Sequence, residues 1–554
     1  MVFFSHYDDG RVYRLDPGSP PRPLTPAGDY RYAALLFDQH RRRLISVRED
    51  HSGDSPLPTD GLIAIDPGGS GEVILLASGR DFHSNPRLSP DGTKLSFLTW
   101  DLPSMPWDGT ELRVAELSEA GGPGPARMVA GGTEESIFQP EWSPDGLLYF
   151  VSDRSGWWNI CRETGAGVEP VCELAAEFGL PQWVFGMSTY AFISGKTIIC
   201  GYNRDGIWHL GAINTTSGRL REISSPYTDI TGIRAGSGNA VFLAASPSTP
   251  AAVVRYDFAN REMETLRSES GIVIDPGYLS LPETIEFPTG HGLTAHGFFY
   301  RPRNRDYAVP PDELPPLLVI MHGGPTSATT NALTLKVQFW TSRGFAVLDV
   351  NYGGSTGYGR DYRRRLDGQW GVVDVDDCVN GARFLVRQGL ADDDRLMIRG
   401  GSAGGYTALS ALAFRDTFRA GASYYGISEL ESLTGDTHKF ESRYLDRLIG
   451  PYPACRYLYL ERSPINFPGR ISCPVIFFQG LDDRVVPPAQ TEMMVEALRK
   501  KGIPSAAIYF EGEAHGFRRA ETIKRALDAE LYFYARIFGF PPGDEIAPVE
   551  IKNL

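Results

Sequence analysis

Three residue types able to cooperate in acyl transfer stand in the C-terminal half of this 554-residue sequence: a serine, a histidine and an acid. Ser402 sits in Gly400-Gly401-Ser402-Ala403-Gly404-Gly405, after the apolar run Leu396, Met397, Ile398 and before a stretch with Ala408, Leu409, Ala411 and Leu412. A serine at the tip of a tight strand-to-helix turn is held in strained backbone geometry. Small neighbours let strand and helix approach, which leaves the hydroxyl exposed at the carboxyl edge of a sheet. His515, in Glu513-Ala514-His515-Gly516-Phe517, could take the proton from Ser402 and return it to a leaving group, provided a carboxylate fixes its tautomer and stabilises the cation. Asp482, directly after the apolar run 475 to 479, is the preferred acid; Asp483, Glu511 and Glu513 compete for the role.

The G-x-S-x-G pattern alone is weak. With 61 glycines in the chain, about 0.5 chance matches are expected. Gly353-Gly354-Ser355-Thr356-Gly357 is such a match, but Tyr358-Gly359-Arg360-Asp361-Tyr362-Arg363 follows it, which suits a polar loop rather than a packed helix. Ser402 is therefore the expected nucleophile and Ser355 a loop residue. Acyl chemistry also needs donors for a developing oxyanion. The amide of Ala403 and the glycine amides of His322-Gly323-Gly324-Pro325, which ends the apolar run 316 to 321, are the expected ones.

These residues need strand ends gathered on one edge. From residue 274 onward, apolar strands near residues 316, 345, 396, 422, 475 and 506 alternate with helical stretches 374–388, 405–414, 490–501 and 521–537, after a two-strand lead-in. The alternation predicts a doubly wound, mostly parallel sheet with chemistry at its carboxyl edge, and the order Ser402, Asp482, His515 is that of an α/β-hydrolase. Residues 1–273 read differently. Short strand-like runs are separated by turn chemistry, and Pro86-Arg87-Leu88-Ser89-Pro90-Asp91-Gly92 is echoed by Pro140-Glu141-Trp142-Ser143-Pro144-Asp145-Gly146. Repeats of this kind predict a β-propeller of about six to seven blades, with units starting near Val2, Tyr32, Pro86, Pro140, Tyr190 and Ile230. The first unit starts abruptly at Met1, so an N-terminally shortened propeller is expected.

The net charge of -14 offers no electrostatic gain on a nucleic acid or an anionic membrane, so neither is an expected partner. Six scattered cysteines (Cys161, Cys172, Cys200, Cys378, Cys455, Cys473) predict reduced thiols, and with no signal-peptide pattern or long apolar run the expected location is cytoplasmic. No cofactor motif or metal-ligand spacing stands out. His322 and His438 lack ligand partners in sequence, so no metal and no sensitivity to chelators is expected.

His322 to Pro325, Asn351-Tyr352-Gly353-Gly354-Ser355-Thr356-Gly357-Tyr358-Gly359, Gly400 to Gly405, Asp482-Asp483-Arg484-Val485-Val486-Pro487 and Glu513 to Phe517 together resemble the prolyl oligopeptidase family of serine peptidases, especially its acylaminoacyl-peptidase and aminopeptidase branch. The stretches 105–112 and 153–160 resemble propellers of that branch. The resemblance implies a propeller joined to a C-terminal α/β-hydrolase, with Ser402 as nucleophile, Asp482 as acid, His515 as base and Ala403 as an oxyanion amide. It implies that Arg484 binds a substrate carbonyl, with a surface ion pair as the alternative. Val485 and Tyr425 complete the expected substrate contacts. Glu177 is the candidate partner for a free α-amino group, against a solvated loop carboxylate. The function implied is a serine exopeptidase releasing an N-terminal amino acid from short peptides or aminoacyl amides. Acylaminoacyl peptidase or oligopeptidase, carboxylesterase and a non-catalytic propeller scaffold are the alternatives, with homo-oligomerisation left open.

Overall fold

The computed structural model describes residues 1–554 apart from Ser237 and Asp436. Six antiparallel sheets fill the N-terminal half as propeller blades: residues 2–23, 30–77, 82–131, 137–172, 190–223 and 229–268. The first blade has three strands and the other five have four. Ser-Pro-Asp-Gly turns join the two inner strands of the third and fourth blades. In the third blade Ser89 Oγ donates to Asp91 Oδ1 and the Gly92 amide bonds the Ser89 carbonyl, with Gly92 at φ +70°, a conformation glycine adopts without steric cost.

The C-terminal half holds one eight-stranded sheet, whose strands are β1 (Pro282–Pro288), β2 (Thr294–Tyr300), β3 (Leu317–Met321), β4 (Ala346–Asn351), β5 (Leu396–Gly401), β6 (Ala420–Tyr424), β7 (Val475–Gly480) and β8 (Ser505–Phe510). Their spatial order is β1-β2-β4-β3-β5-β6-β7-β8; the two lead-in strands run antiparallel and β3 to β8 pair in parallel. The helices that pack on it include α1 (Leu335–Thr341), α2 (Val373–Arg387), α3 (Ala403–Phe414), α4 (Pro488–Lys501) and α5 (Ala520–Phe538). Strands β3 and β5 are almost wholly buried because both faces are covered, which is why they read as continuous apolar runs without alternation. Helix α3 is buried along all but its last residue, and its alanines and glycines allow that. Among the described residues, no helix is long and apolar enough to cross a membrane.

The propeller sits on the carboxyl edge of this sheet and is held there by buried polar contacts. Arg363 Nη2 donates to Asp153 Oδ2 at 2.6 Å, with both side chains almost fully enclosed, and the Arg363 guanidinium lies 4.2 Å over the Trp158 ring. The Trp183 indole N–H donates to the Thr326 carbonyl at 2.7 Å, and Thr228 Oγ1 donates to Asn331 Oδ1 at 2.7 Å. Removing one member of a buried ion pair leaves the other charge uncompensated. Arg363→Met should therefore lower stability by about 3–5 kcal/mol. A chemical denaturation midpoint unchanged from wild type would show that Asp153 finds another partner.

Candidate active site

Ser402 occupies the turn between β5 and α3 with φ 56° and ψ −124°, a left-handed conformation that a residue with a side chain adopts only under constraint. The flanking glycines supply that constraint. A Cβ on Gly400 would lie 2.1 Å from the Gly404 carbonyl oxygen, and one on Gly405 would lie 2.5 Å from the Gly426 Cα. The hydroxyl is thereby presented beyond the strand end. His515 Nε2 lies 2.9 Å from Ser402 Oγ.

The other ring nitrogen of His515 corrects the expected acid. Nδ1 is 2.8 Å from Asp483 Oδ2, whereas Asp482 is exposed and away from the imidazole. The turn after β7 decides between them. Its amides at Val485 and Val486 both donate to Asp483 Oδ1 at 2.9 Å, so the backbone curls around this one carboxylate, which is wholly buried on its side chain. Glu513 is committed elsewhere, accepting from the Arg518 and Arg519 amides.

The His322-Gly323-Gly324 turn at the end of β3 abuts the elbow: a Cβ on Gly323 would lie 3.6 Å from Ser402 Cβ and 4.0 Å from the Ala403 amide nitrogen. His322 supports that turn from behind. Its Nε2 is 2.7 Å from Ser355 Oγ, its Nδ1 is 2.8 Å from the Gly323 carbonyl, and its ring stacks on Tyr352 at 4.4 Å. Burial pushes the His322 pKa down to about 4, so the ring is neutral at physiological pH. Ser355 is a buried partner of this histidine and lies off any helix start.

A cavity of about 470 Å³ opens at Ser402 and His515, lined also by Gly323, Gly324, Ala403 and Val485. The propeller contributes Trp183, and the segment between β6 and β7 contributes His438, Glu441 and Tyr444. Trp183 is wedged against Trp107 at 4.5 Å and Tyr444 at 5.7 Å, which fixes the roof. Glu441 accepts no hydrogen bond from any described residue. Its nearest basic side chain is His438, with Nε2 at 3.7 Å, and burial raises the Glu441 pKa, partly offset by the nearby His438 and His515 rings.

Of the expected substrate contacts, Val485 lines this cavity and three others do not. Arg484 is exposed, outside the lining and without an ion pair among the described residues. Tyr425 packs edge-on against the far side of the His515 ring, 5.0 Å between centroids, and lines a neighbouring cavity instead. Glu177 is neither in the cavity nor solvated. Its carboxylate accepts from the Trp158 amide at 2.9 Å and the Gly359 amide at 3.0 Å, tying the propeller to the hydrolase, and burial pushes its pKa up to about 7. Trp183, Glu441 and Tyr444 went unread. The available signal was the long strand-free stretches that carry them, since such connections in compact domains tend to be functional. Among the described residues there is no cluster of His, Cys, Asp and Glu suited to a metal ion.

A propeller seated on a doubly wound sheet, with serine, histidine and aspartate meeting at three strand ends, is the architecture of a serine hydrolase of the α/β type. A model of the prolyl oligopeptidase family matches residues 331–540. A crystal structure of a puromycin hydrolase superposes with a TM-score of 0.94 at 40% identity over 99% of this chain and 86% of that one. A Mycobacterium tuberculosis puromycin-hydrolyzing peptidase superposes with a TM-score of 0.95 at the same identity and coverage. Dipeptidyl aminopeptidase BIII of Pseudoxanthomonas mexicana is 33% identical over 230 residues, 40% of this chain and 33% of that protein. The matches to such curated relatives thus span about a third of the relatives' own length. The chain belongs to the prolyl oligopeptidase family.

The geometry separates two adjacent aspartates. Asp483→Asn, which would favour the wrong imidazole tautomer, should lower kcat by about 10⁴. Asp482→Asn should leave kcat within about threefold of wild type, as for a surface change. Equal losses in the two variants, measured on one aminoacyl anilide, would contradict the assignment.

Proposed function

We propose that the protein is a serine exopeptidase that releases an N-terminal amino acid from short peptides or aminoacyl amides. Ser402 Oγ attacks the carbonyl as its proton passes to His515 Nε2, and Asp483 holds the Nδ1 proton and stabilises the imidazolium. The amides of Ala403 and of the Gly323-Gly324 turn receive the oxyanion. His515 then protonates the leaving amine, and water releases the acyl group from Ser402 by the same steps in reverse roles. The roof over the cavity favours short, unfolded chains.

One observation carries the aminopeptidase reading: Glu441, a carboxylate in the wall of the cavity at Ser402, has no hydrogen-bond donor among the described residues. A substrate α-ammonium would satisfy it. Glu177 was the sequence-based candidate for this role, and its commitment to two backbone amides leaves the role to Glu441. The similarity to puromycin-hydrolysing proteins supports the same reading, because puromycin is an amide of an amino acid with a free α-amino group. A blocked N-terminus would leave Glu441 unpaired in a partly desolvated wall, which disfavours an acylaminoacyl peptidase. The free state of all six cysteines supports a reducing, cytoplasmic setting.

Matched free-amino and N-acetylated aminoacyl anilides test the proposal. The free-amino series should be preferred, and Ser402→Ala should abolish its turnover. Glu441→Gln should raise KM for that series by about tenfold or more, the worth of one charge-assisted bond, and leave the acetylated series unchanged. The sign with pH follows from the raised pKa of Glu441. Its carboxyl is neutral at low pH, so kcat/KM for free amines should climb as pH rises through its ionisation, and fall again when the substrate amine deprotonates near pH 8. A preference for the acetylated series would make the protein an acylaminoacyl peptidase. Anilide turnover negligible beside ester turnover would make it an esterase.

A further inference from the structure

A second cavity of about 420 Å³ is lined by Gly400 and Gly401 of the elbow and by Tyr425, which is not part of the cavity at Ser402. Its floor is one row of the sheet. Asp349 on β4 is in register with Ile320 on β3, and Ile320 with Arg399 on β5, so the three share a face, and the outer two stand about 10 Å apart. Arg399 is the unusual member. It is more than nine-tenths buried, yet its guanidinium makes no hydrogen bond to any described residue. Its ion-pair partner Glu530 lies 3.4 Å from Nη1 and already accepts from the Tyr424 and Tyr534 hydroxyls at 2.6 and 3.0 Å. The guanidinium plane is held by Tyr424, 4.5 Å from its centre, and by Trp340 at 5.9 Å. A buried guanidinium fixed in place with its N–H groups unspent is built to receive a planar anion.

A second cation shares the space. Lys336 lines the same cavity and has no ion pair or hydrogen bond among the described residues, and partial desolvation together with the Arg399 charge lowers its pKa. The opposing charge is muted: Asp349 accepts from Thr329 Oγ1 at 2.6 Å, and burial pushes its pKa up to about 7. Ile320, Leu333, Val337 and Trp340 supply apolar side chains to the walls, beside the polar Thr329, Thr330 and Thr334. Cations at one end and this apolar stretch suit a singly charged carboxylate with a short apolar tail better than a phosphate, some of whose polar oxygens would lie against the apolar groups.

We propose that this cavity is a second binding site, for a small carboxylate with an apolar tail, whose carboxylate lies between Arg399 and Lys336. Two sources share that chemistry: a free amino acid and a simple organic acid. The site adjoins the catalytic base through a single side chain, because Tyr425 lines the cavity with the same ring that packs on His515. It does not depend on which substrate the cavity at Ser402 accepts.

Calorimetric titration of the full chain with leucine, 4-methylpentanoate, 4-methylpentanamide and inorganic phosphate tests the assignment. Leucine, 4-methylpentanoate or both should bind, the tighter of the two identifying the source, while 4-methylpentanamide and phosphate should not. Lys336→Glu, a change at an exposed helix residue, should weaken carboxylate binding about tenfold or more. Val485→Trp, in the wall of the other cavity, should leave it unchanged. No binding by either carboxylate, equal binding of 4-methylpentanamide, preference for phosphate, or sensitivity to Val485→Trp in place of Lys336→Glu would each overturn the proposal.

Discussion

The backbone of Ser402 is the constraint on which the rest of the hydrolase half depends. A residue with a side chain at φ 56° costs of the order of 1–3 kcal/mol and persists only where its surroundings leave it no alternative. Here β5 and α3 meet so closely that the Gly404 carbonyl fills the space where a Gly400 side chain would begin, and the Gly426 Cα fills that of Gly405. The strain is offset by near-complete burial of both elements, which burial in turn requires the small residues of α3. Parallel pairing then delivers the other groups to the same edge: the glycine turn after β3, Asp483 after β7 and His515 after β8. Chemistry collects there because a parallel sheet ends all its strands together.

The propeller completes the site as much as it covers it. Besides aromatic packing of Trp107 and Trp183 on Phe440 and Tyr444, buried polar contacts join the halves at the rim of the catalytic edge: Asp153 with Arg363, Glu177 with the Gly359 amide, Thr326 with the Trp183 indole. Such contacts contribute little net stability once desolvation is counted, but they have strict directionality, which apolar packing lacks. Trp183 consequently reaches the cavity at a fixed angle, clamped between Trp107 and Tyr444. An apolar seam alone would let the two halves slide.

What the sequence made legible follows the range of the interactions involved. Ser402 could be told from Ser355 because the residues after each are local evidence for a helix or a loop, and His515 could be found because a glycine-flanked histidine follows a strand. The propeller was legible through its hairpin turns, whose Pro, Asp and Gly act within four residues; its first blade, where the repeat pattern starts abruptly, has three strands. The choice between Asp482 and Asp483 was not legible. It rests on which carboxylate the Val485 and Val486 amides enclose, and adjacent aspartates look alike until the turn is drawn. Glu177 misled for a related reason. A loop carboxylate that binds an amine and one that binds two amides across a domain boundary have the same sequence, and the second amide comes from residue 359.

Four acids near the catalytic edge show how donor supply divides their roles. Asp483 receives two backbone amides, the Gln479 side-chain amide at 3.4 Å and the imidazole, so its carboxylate is held in place beside His515. Glu177 receives two amides, one from each half, and acts as a structural clasp. Asp349 receives one hydroxyl in a fully enclosed position, where a neutral acid is as stable as a carboxylate near neutral pH. Glu441 receives none from the described residues, and of the four it is the one that lines the cavity at Ser402. An acid supplied with donors by its own chain is finished by folding. One left without them, in a wall that is partly desolvated, gains most from a cation that arrives from outside, and Ser402 and His515 open on the same cavity.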